Sequence, residues 1–109
     1  MCEPRKDLIL TPNSGPIVPL LQWTDEADVI RRANNTEYGL GASVWTQDLE
    51  QANRVAKKLQ AGTVWVNTHL EVSPQATMGG FKHSGIGSEY GVIGLKAYCN
   101  VQTLFLKKR

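Results

Sequence analysis

Apolar residues recur at helical spacing in two stretches of the chain. From Asp48 the series Leu49, Ala52, Val55, Ala56 and Leu59 places its side chains on one face at the 3.6-residue period, and predicts an amphipathic helix. Asp48 is its N-cap, Gln51 sits three residues on, Lys57 and Lys58 occupy the last turn, and Gly62 ends it. Upstream, Ala27, Val29, Ile30 and Ala33 form a narrower stripe. Thr24 is the expected cap there, Asp25, Glu26 and Asp28 load the first turn with negative charge, Arg31 and Arg32 lie beyond Asp28, and Gly39 is the expected left-handed stop. Three β-prone runs flank these helices, at residues 17–23, 40–45 and 63–67, the first interrupted by Pro19, which cannot donate to a ladder. Strand, helix, strand, helix, strand reads as two β-α-β units with right-handed crossovers, an α/β fold with a small parallel sheet.

The remainder lacks a sustained period. Residues 68–88 carry Pro74, Gly79, Gly80, Gly85 and Gly87 and predict a long connection, a candidate functional loop. A C-terminal helix is expected over 89–97, where Gly91 and Gly94 permit close packing, and a final strand over 101–106. Residues 1–14 read as a loose lead-in, so the expected organisation is 1–14, 15–100 and 101–109.

Composition narrows the class of protein. With 109 residues, 41% hydrophobic, one small domain is expected. A net charge of +2, with basic residues scattered apart from Lys107, Lys108 and Arg109, argues against a nucleic-acid partner. No apolar run reaches the roughly 18 residues of a membrane-spanning helix, and Glu3, Arg5, Lys6 and Asp7 stand where a signal peptide needs apolar residues. The expectation is a cytoplasmic protein without a membrane partner. Cys2 and Cys99, at opposite ends, form neither a metal pair nor a disulfide framework. The sequon Asn34-Asn35-Thr36 falls at an expected helix end and is discounted.

Candidate chemistry is sparse. Gly85, Gly87 and Gly91 spell G-x-G-x-x-x-G, one residue too long for a dinucleotide fingerprint, and they follow a loop rather than a strand, so turns and packing are the better reading. His83 lies between Lys82 and Ser84, but adjacent residues rarely aim at one reacting atom, and His69 and His83 read as solvated loop histidines. Cys99, beside Ala97 and Tyr98, is expected to be a partly buried, inert thiol. Asp48, Glu50, Glu71 and Glu89 form no acid–base pair, and no metal site is expected.

Four collinear blocks carry more. Gly15-Pro16-Ile17, Asn34-Asn35-Thr36-Glu37-Tyr38-Gly39-Leu40, Ala61-Gly62-Thr63-Val64-Trp65-Val66-Asn67 and Gly79-Gly80-Phe81-Lys82-His83-Ser84-Gly85-Ile86-Gly87 together resemble the C-terminal part of the NAD(P)-dependent aldehyde dehydrogenase superfamily, from about residue 15 to residue 106. In that family a cysteine attacks the aldehyde, a hydride passes to the nicotinamide, and a glutamate-activated water releases the acid. The resemblance implies that the cysteine, the glutamate and the cofactor domain all precede the matched region, so no catalytic residue is assigned here. Neither Cys2 nor Cys99 stands in a nucleophile motif.

The family also carries a Glu-x-Phe-Gly-Pro motif that holds the cofactor. Here Pro12 replaces its Glu and Ser14 its Phe, so no cofactor, NAD or NADP, is expected for this chain, and residues 1–14 are expected to be unrelated to the family. The loop over residues 68–80 resembles the substrate-tunnel loop, with Val72 and Met78 as substrate-side positions. The closing segment resembles the oligomerisation strand, with Val101, Thr103 and Phe105 on one face and Leu104 and Leu106 on the other. The expectation is a family fragment inactive alone, at least a homodimer, with full-length aldehyde dehydrogenase subunits as a further partner. The alternatives are a self-associating interaction module and a small-molecule binder through the tunnel loop.

Overall fold

The computed structural model describes residues 18–108, which divide into two units between Thr36 and Glu37. The lead-in with Cys2, Pro12 and Ser14, the block Gly15-Pro16-Ile17, and Arg109 lie outside the described residues.

The first unit is built on helix α1, Glu26–Asn34. Its N-cap is Asp25, not Thr24: Asp25 is extended (φ −118°, ψ 125°), and its carboxylate accepts from the Asp28 amide at 2.7 Å. A carboxylate satisfies the free amide as a hydroxyl would and also faces the positive end of the helix dipole. One turn on, the Asp28 carboxylate pairs with Arg31 and, at 2.8 Å, with Arg32, whose guanidinium also donates to the Gln22 carbonyl at 3.0 Å. Ile30 is the buried residue of α1. The helix stops with Asn35, whose N–H bonds the Arg32 carbonyl at 3.1 Å; Gly39, the expected stop, lies instead in a strand. The strand expected over 17–23 is absent from its described residues, and Val18 and Leu20 are exposed. A strand needs a ladder, and Pro19 removes a donor from this one.

The second unit contains β1 (Tyr38–Gly39), β2 (Gly41–Val44), α2 (Leu49–Ala56), β3 (Thr63–Val66), β4 (Met78–Gly79), β5 (Phe81–Lys82), β6 (Ser88–Glu89) and α3 (Gly91–Lys96). β2 and β3 run parallel, pairing Gly41 with Thr63, Ala42 with Val64, Ser43 with Trp65 and Val44 with Val66. Helix α2 crosses between them and packs on both. Its cap is Asp48 as expected, accepting from the Glu50 and Gln51 amides at 2.9 and 3.0 Å. One β-α-β unit is therefore present among the described residues where two were expected, because the first strand does not form. Ala52 of α2, 1% exposed, and Trp65 of β3, 8% exposed, are the core of this unit.

The stretch 68–88 is more structured than a loop. β4 pairs antiparallel with β6 and β5 with β1, in two-residue ladders too short to leave a period in the sequence. Helix α3 starts at Gly91, two residues later than expected, because Glu89 belongs to β6 and Tyr90 turns the chain at φ 60°. Gly94 does permit close packing: a Cβ there would stand 2.6 Å from the Glu89 carbonyl carbon. Past α3, residues 101–108 form no strand within the chain, with Val101 and Phe105 93% and 92% exposed. Among the described residues no strand pairs with this segment.

Gly62 does not serve as a helix stop. α2 ends at Ala56, and Gly62 is where two backbones meet: its N–H donates to the Gly39 carbonyl at 3.0 Å, and a Cβ on it would stand 1.6 Å from the Gly79 oxygen. No rotamer relieves a clash with backbone. Gly62→Ala is expected to lower stability by about 2–4 kcal/mol, the range of overpacked sites, read from urea unfolding of the purified chain.

Candidate functional site

Parallel pairing puts the carboxyl ends of β2 and β3 side by side, the edge where α/β folds place ligands. Two connections leave from it, the turn into α2 and the loop over residues 67–77. Asn67 joins them. It takes a left-handed conformation (φ 55°), its side-chain oxygen accepts from the Thr46 amide at 2.9 Å, and its side-chain nitrogen donates to the Thr46 carbonyl at 2.9 Å. The Thr46 hydroxyl in turn donates to the Gln51 side-chain oxygen at 3.0 Å and accepts from the Asp48 amide at 3.1 Å. Strand end, helix cap and loop start thus share one polar network. Asparagine suits the position because it tolerates positive φ and carries a donor and an acceptor together.

Trp65 holds the next part of the loop. The alternation of β3 puts Ala42, Val44, Val64 and Val66 on one face and Ser43 and Trp65 on the other. The Trp65 indole N–H donates to the Glu71 carbonyl at 2.8 Å, and the Thr68 hydroxyl donates to the Glu71 carboxylate at 2.8 Å. His69 lies edge-on to Trp65, ring centroids 5.4 Å apart at 70°, and its Nδ1 is 2.6 Å from the Ser43 hydroxyl. Farther along, the Pro74 carbonyl accepts from the Gly91 amide at 2.9 Å, tying the loop to the start of α3.

Val72 lies on this loop between the Trp65 and Pro74 attachments, 55% exposed, and Leu70 beside it is exposed at φ 57°. Met78 is half-buried in β4, opposite Glu89. The two substrate-side candidates therefore occupy different elements, one on the loop and one at its far end. His69 is exposed, as expected of a loop histidine, but it is not free: Ser43 and Trp65 orient it. Sequence reading missed Ser43 altogether; its only signal is a hydroxyl at the carboxyl end of an apolar strand.

The other candidates resolve simply. His83 is exposed, and its Nδ1 lies 3.8 Å from a Glu37 carboxylate oxygen brought there by the β1–β5 pairing, a neighbour not foreseen from the sequence. Ser84 is not directed at His83: its hydroxyl accepts from the Gly39 amide at 2.7 Å. Cys99 is exposed rather than partly buried, its thiol 3.4 Å from the Leu95 carbonyl, because no described element packs over the end of α3 there. A pyrophosphate cradle does not fit Gly85, Gly87 and Gly91, since the Gly91 amide is already bonded to Pro74 and α3 is a six-residue helix. Among the described residues no three His, Cys, Asp or Glu gather as a metal site, and no helix is long and apolar enough to cross a membrane.

A parallel β-α-β unit followed by a pinned loop is a mixed α/β arrangement that by itself names no family. Residues 2–104 match the aldehyde dehydrogenase family model, and the chain belongs to that family of oxidoreductases. The match begins within the lead-in. A phenylacetaldehyde dehydrogenase from Pseudomonas fluorescens is 43% identical over 104 residues, 94% of this chain and 21% of that protein. An aldehyde dehydrogenase from Bacillus cereus, solved as its NAD+ complex, superposes with a TM-score of 0.83 at 43% identity, over 87% of this chain and 19% of that one. A betaine aldehyde dehydrogenase from Staphylococcus aureus gives 0.75 at 44% identity, over 77% and 17%. The chain spans about a fifth of the length of the curated relative it matches.

Asn67 is the residue on which this site is most sensitive. Asn67→Ala removes both Thr46 bonds and leaves a Cβ at positive φ, and is expected to cost about 2–4 kcal/mol. Asn67→Gly, which relieves the backbone alone, is expected to cost about 1 kcal/mol less; thermal unfolding of the two variants against the parent chain separates the terms.

Proposed function

We propose that the chain is the substrate-loop and oligomerisation part of an aldehyde dehydrogenase, whose parent reaction is the NAD- or NADP-dependent oxidation of an aldehyde to a carboxylic acid. The pinned loop supports this reading above any other observation. Asn67, Trp65 and the Pro74–Gly91 bond fix its backbone at three points while Leu70 and Val72 remain exposed, which is how a scaffold presents apolar side chains to a ligand. In this reading Val72 and Met78 face the apolar part of the aldehyde.

The chain alone does not turn aldehydes over. The reaction needs a nucleophile, a base and a bound nicotinamide together, and Cys99, the one cysteine among the described residues, sits at the end of α3 with only the Leu95 carbonyl as its bonding partner. A cytoplasmic location suits its exposed thiol.

A second reading rests on the closing segment. Val101, Leu104, Phe105 and Leu106 are exposed, and an apolar segment of β-forming residues outside any described ladder is a template for pairing. Val101, Thr103 and Phe105 would then form the edge between copies of this chain, or between it and a full-length family subunit, with neither nucleic acid nor membrane as partner.

Two measurements test these readings. A panel of aliphatic and aromatic aldehydes with NAD or NADP is expected to give no NADH or NADPH with the purified chain, and turnover lost on Cys99→Ala would overturn that. Sedimentation velocity at micromolar concentration is expected to show a dimer that Phe105→Lys converts to monomer; a folded, soluble monomer unchanged by Phe105→Lys defeats the pairing reading.

A further inference from the structure

Ser43 and His69 are brought together by the fold, and the function proposed above gives the pair no role. We propose that Ser43 is an acylation site, a serine nucleophile activated by His69 toward activated acyl donors such as aryl esters. The Ser43 hydroxyl and His69 Nδ1 are 2.6 Å apart, the separation of a hydroxyl donating to a neutral imidazole. A nucleophile next to a base acts only if the base is itself oriented. Here the orienting group is Trp65, which meets the imidazole edge-on at 5.4 Å, is 8% exposed, and is fixed through its indole N–H on the Glu71 carbonyl at 2.8 Å. Ser43 is half-buried and His69 exposed, so a small reagent reaches the pair from solvent.

The Ser43 oxygen attacks the ester carbonyl as its proton passes to His69 Nδ1, forming an O–acyl bond. The aryl oxide leaves with the electron pair of the broken C–O bond. His69 releases that proton from Nδ1 to solvent; water then attacks the acyl-serine, giving a proton to the freed Nδ1, the acid departs and Ser43 regains its proton from His69. No redox partner is needed. An aryl oxide leaves without being protonated, which confines the pair to activated esters rather than amides or alkyl esters.

Cys99 is an exposed competitor, so the test uses the full chain carrying Cys2→Ser and Cys99→Ser, with p-nitrophenyl acetate as probe. Peptide mass mapping is expected to find the acetyl group on Ser43. Release of p-nitrophenolate is expected to fall at least about tenfold in Ser43→Ala and in His69→Gln, the low side of what a positioned general base contributes. Acetyl found only on lysines, or release unchanged by either substitution, overturns the proposal. If Ser43→Ala fails to fold, the mapped position in the folded parent decides alone. None of these outcomes depends on whether the chain binds an aldehyde.

Discussion

Two parallel strands cannot be joined by a hairpin, and that constraint organises the second unit. The chain must leave the end of β2, return to the start of β3, and do so through a crossover long enough to span the strands, here α2. Both strands then finish at the same edge. Because they do, Thr46 after β2 and Asn67 after β3 come within hydrogen-bond reach across 21 positions of sequence, and the cap of α2 and the start of the loop are tied to the same residue. The Trp65–Glu71 and Ser43–His69 contacts depend on the same register, since pairing Ser43 with Trp65 puts both side chains on one face. A slip of one position would separate all of them.

The apolar core of each unit is small. Ile30, Ala52 and Trp65 are the buried apolar residues among those described, whereas Val92, Ile93, Leu95 and Tyr98 along α3 are exposed, as are Val101, Leu104, Phe105 and Leu106 after it. A short chain buries a smaller fraction of its surface than a large one, and this one spans about a fifth of its relative's length. Its backbone compensates with polar ties. Caps at Asp25 and Asp48, the Asn67 clamp and the Pro74–Gly91 bond hold what little apolar burial leaves loose.

Much of the local structure was legible, for local reasons. The Asp48 cap, the run from Leu49 to Ala56 and the two β-prone runs on either side depend on residues within one or two turns of each other, and each appears where periodicity placed it. The failures were of another kind. Asp25 outcompeted Thr24 as a cap by carrying charge, the strand expected at 17–23 found no ladder among the described residues, and Gly62 and Gly39 read as helix stops but serve close backbone approach and a strand. A glycine's sequence neighbours do not say which of its uses the fold will need.

By itself the sequence determined the class of fold, the N-cap and period of α2, and, through its four collinear blocks, the family. Those are properties of residue type and spacing. Only the tertiary structure decided the chemistry: that His69 meets Ser43, that Glu37 stands near His83, that Ser84 bonds the Gly39 amide, and that Asn67 reaches back to Thr46. Each contact joins residues 21 to 46 positions apart, and each follows from strand register and loop geometry. The physical reason is that a side chain's partners are set by which backbones run beside one another, a choice made over the whole chain and written at no single position.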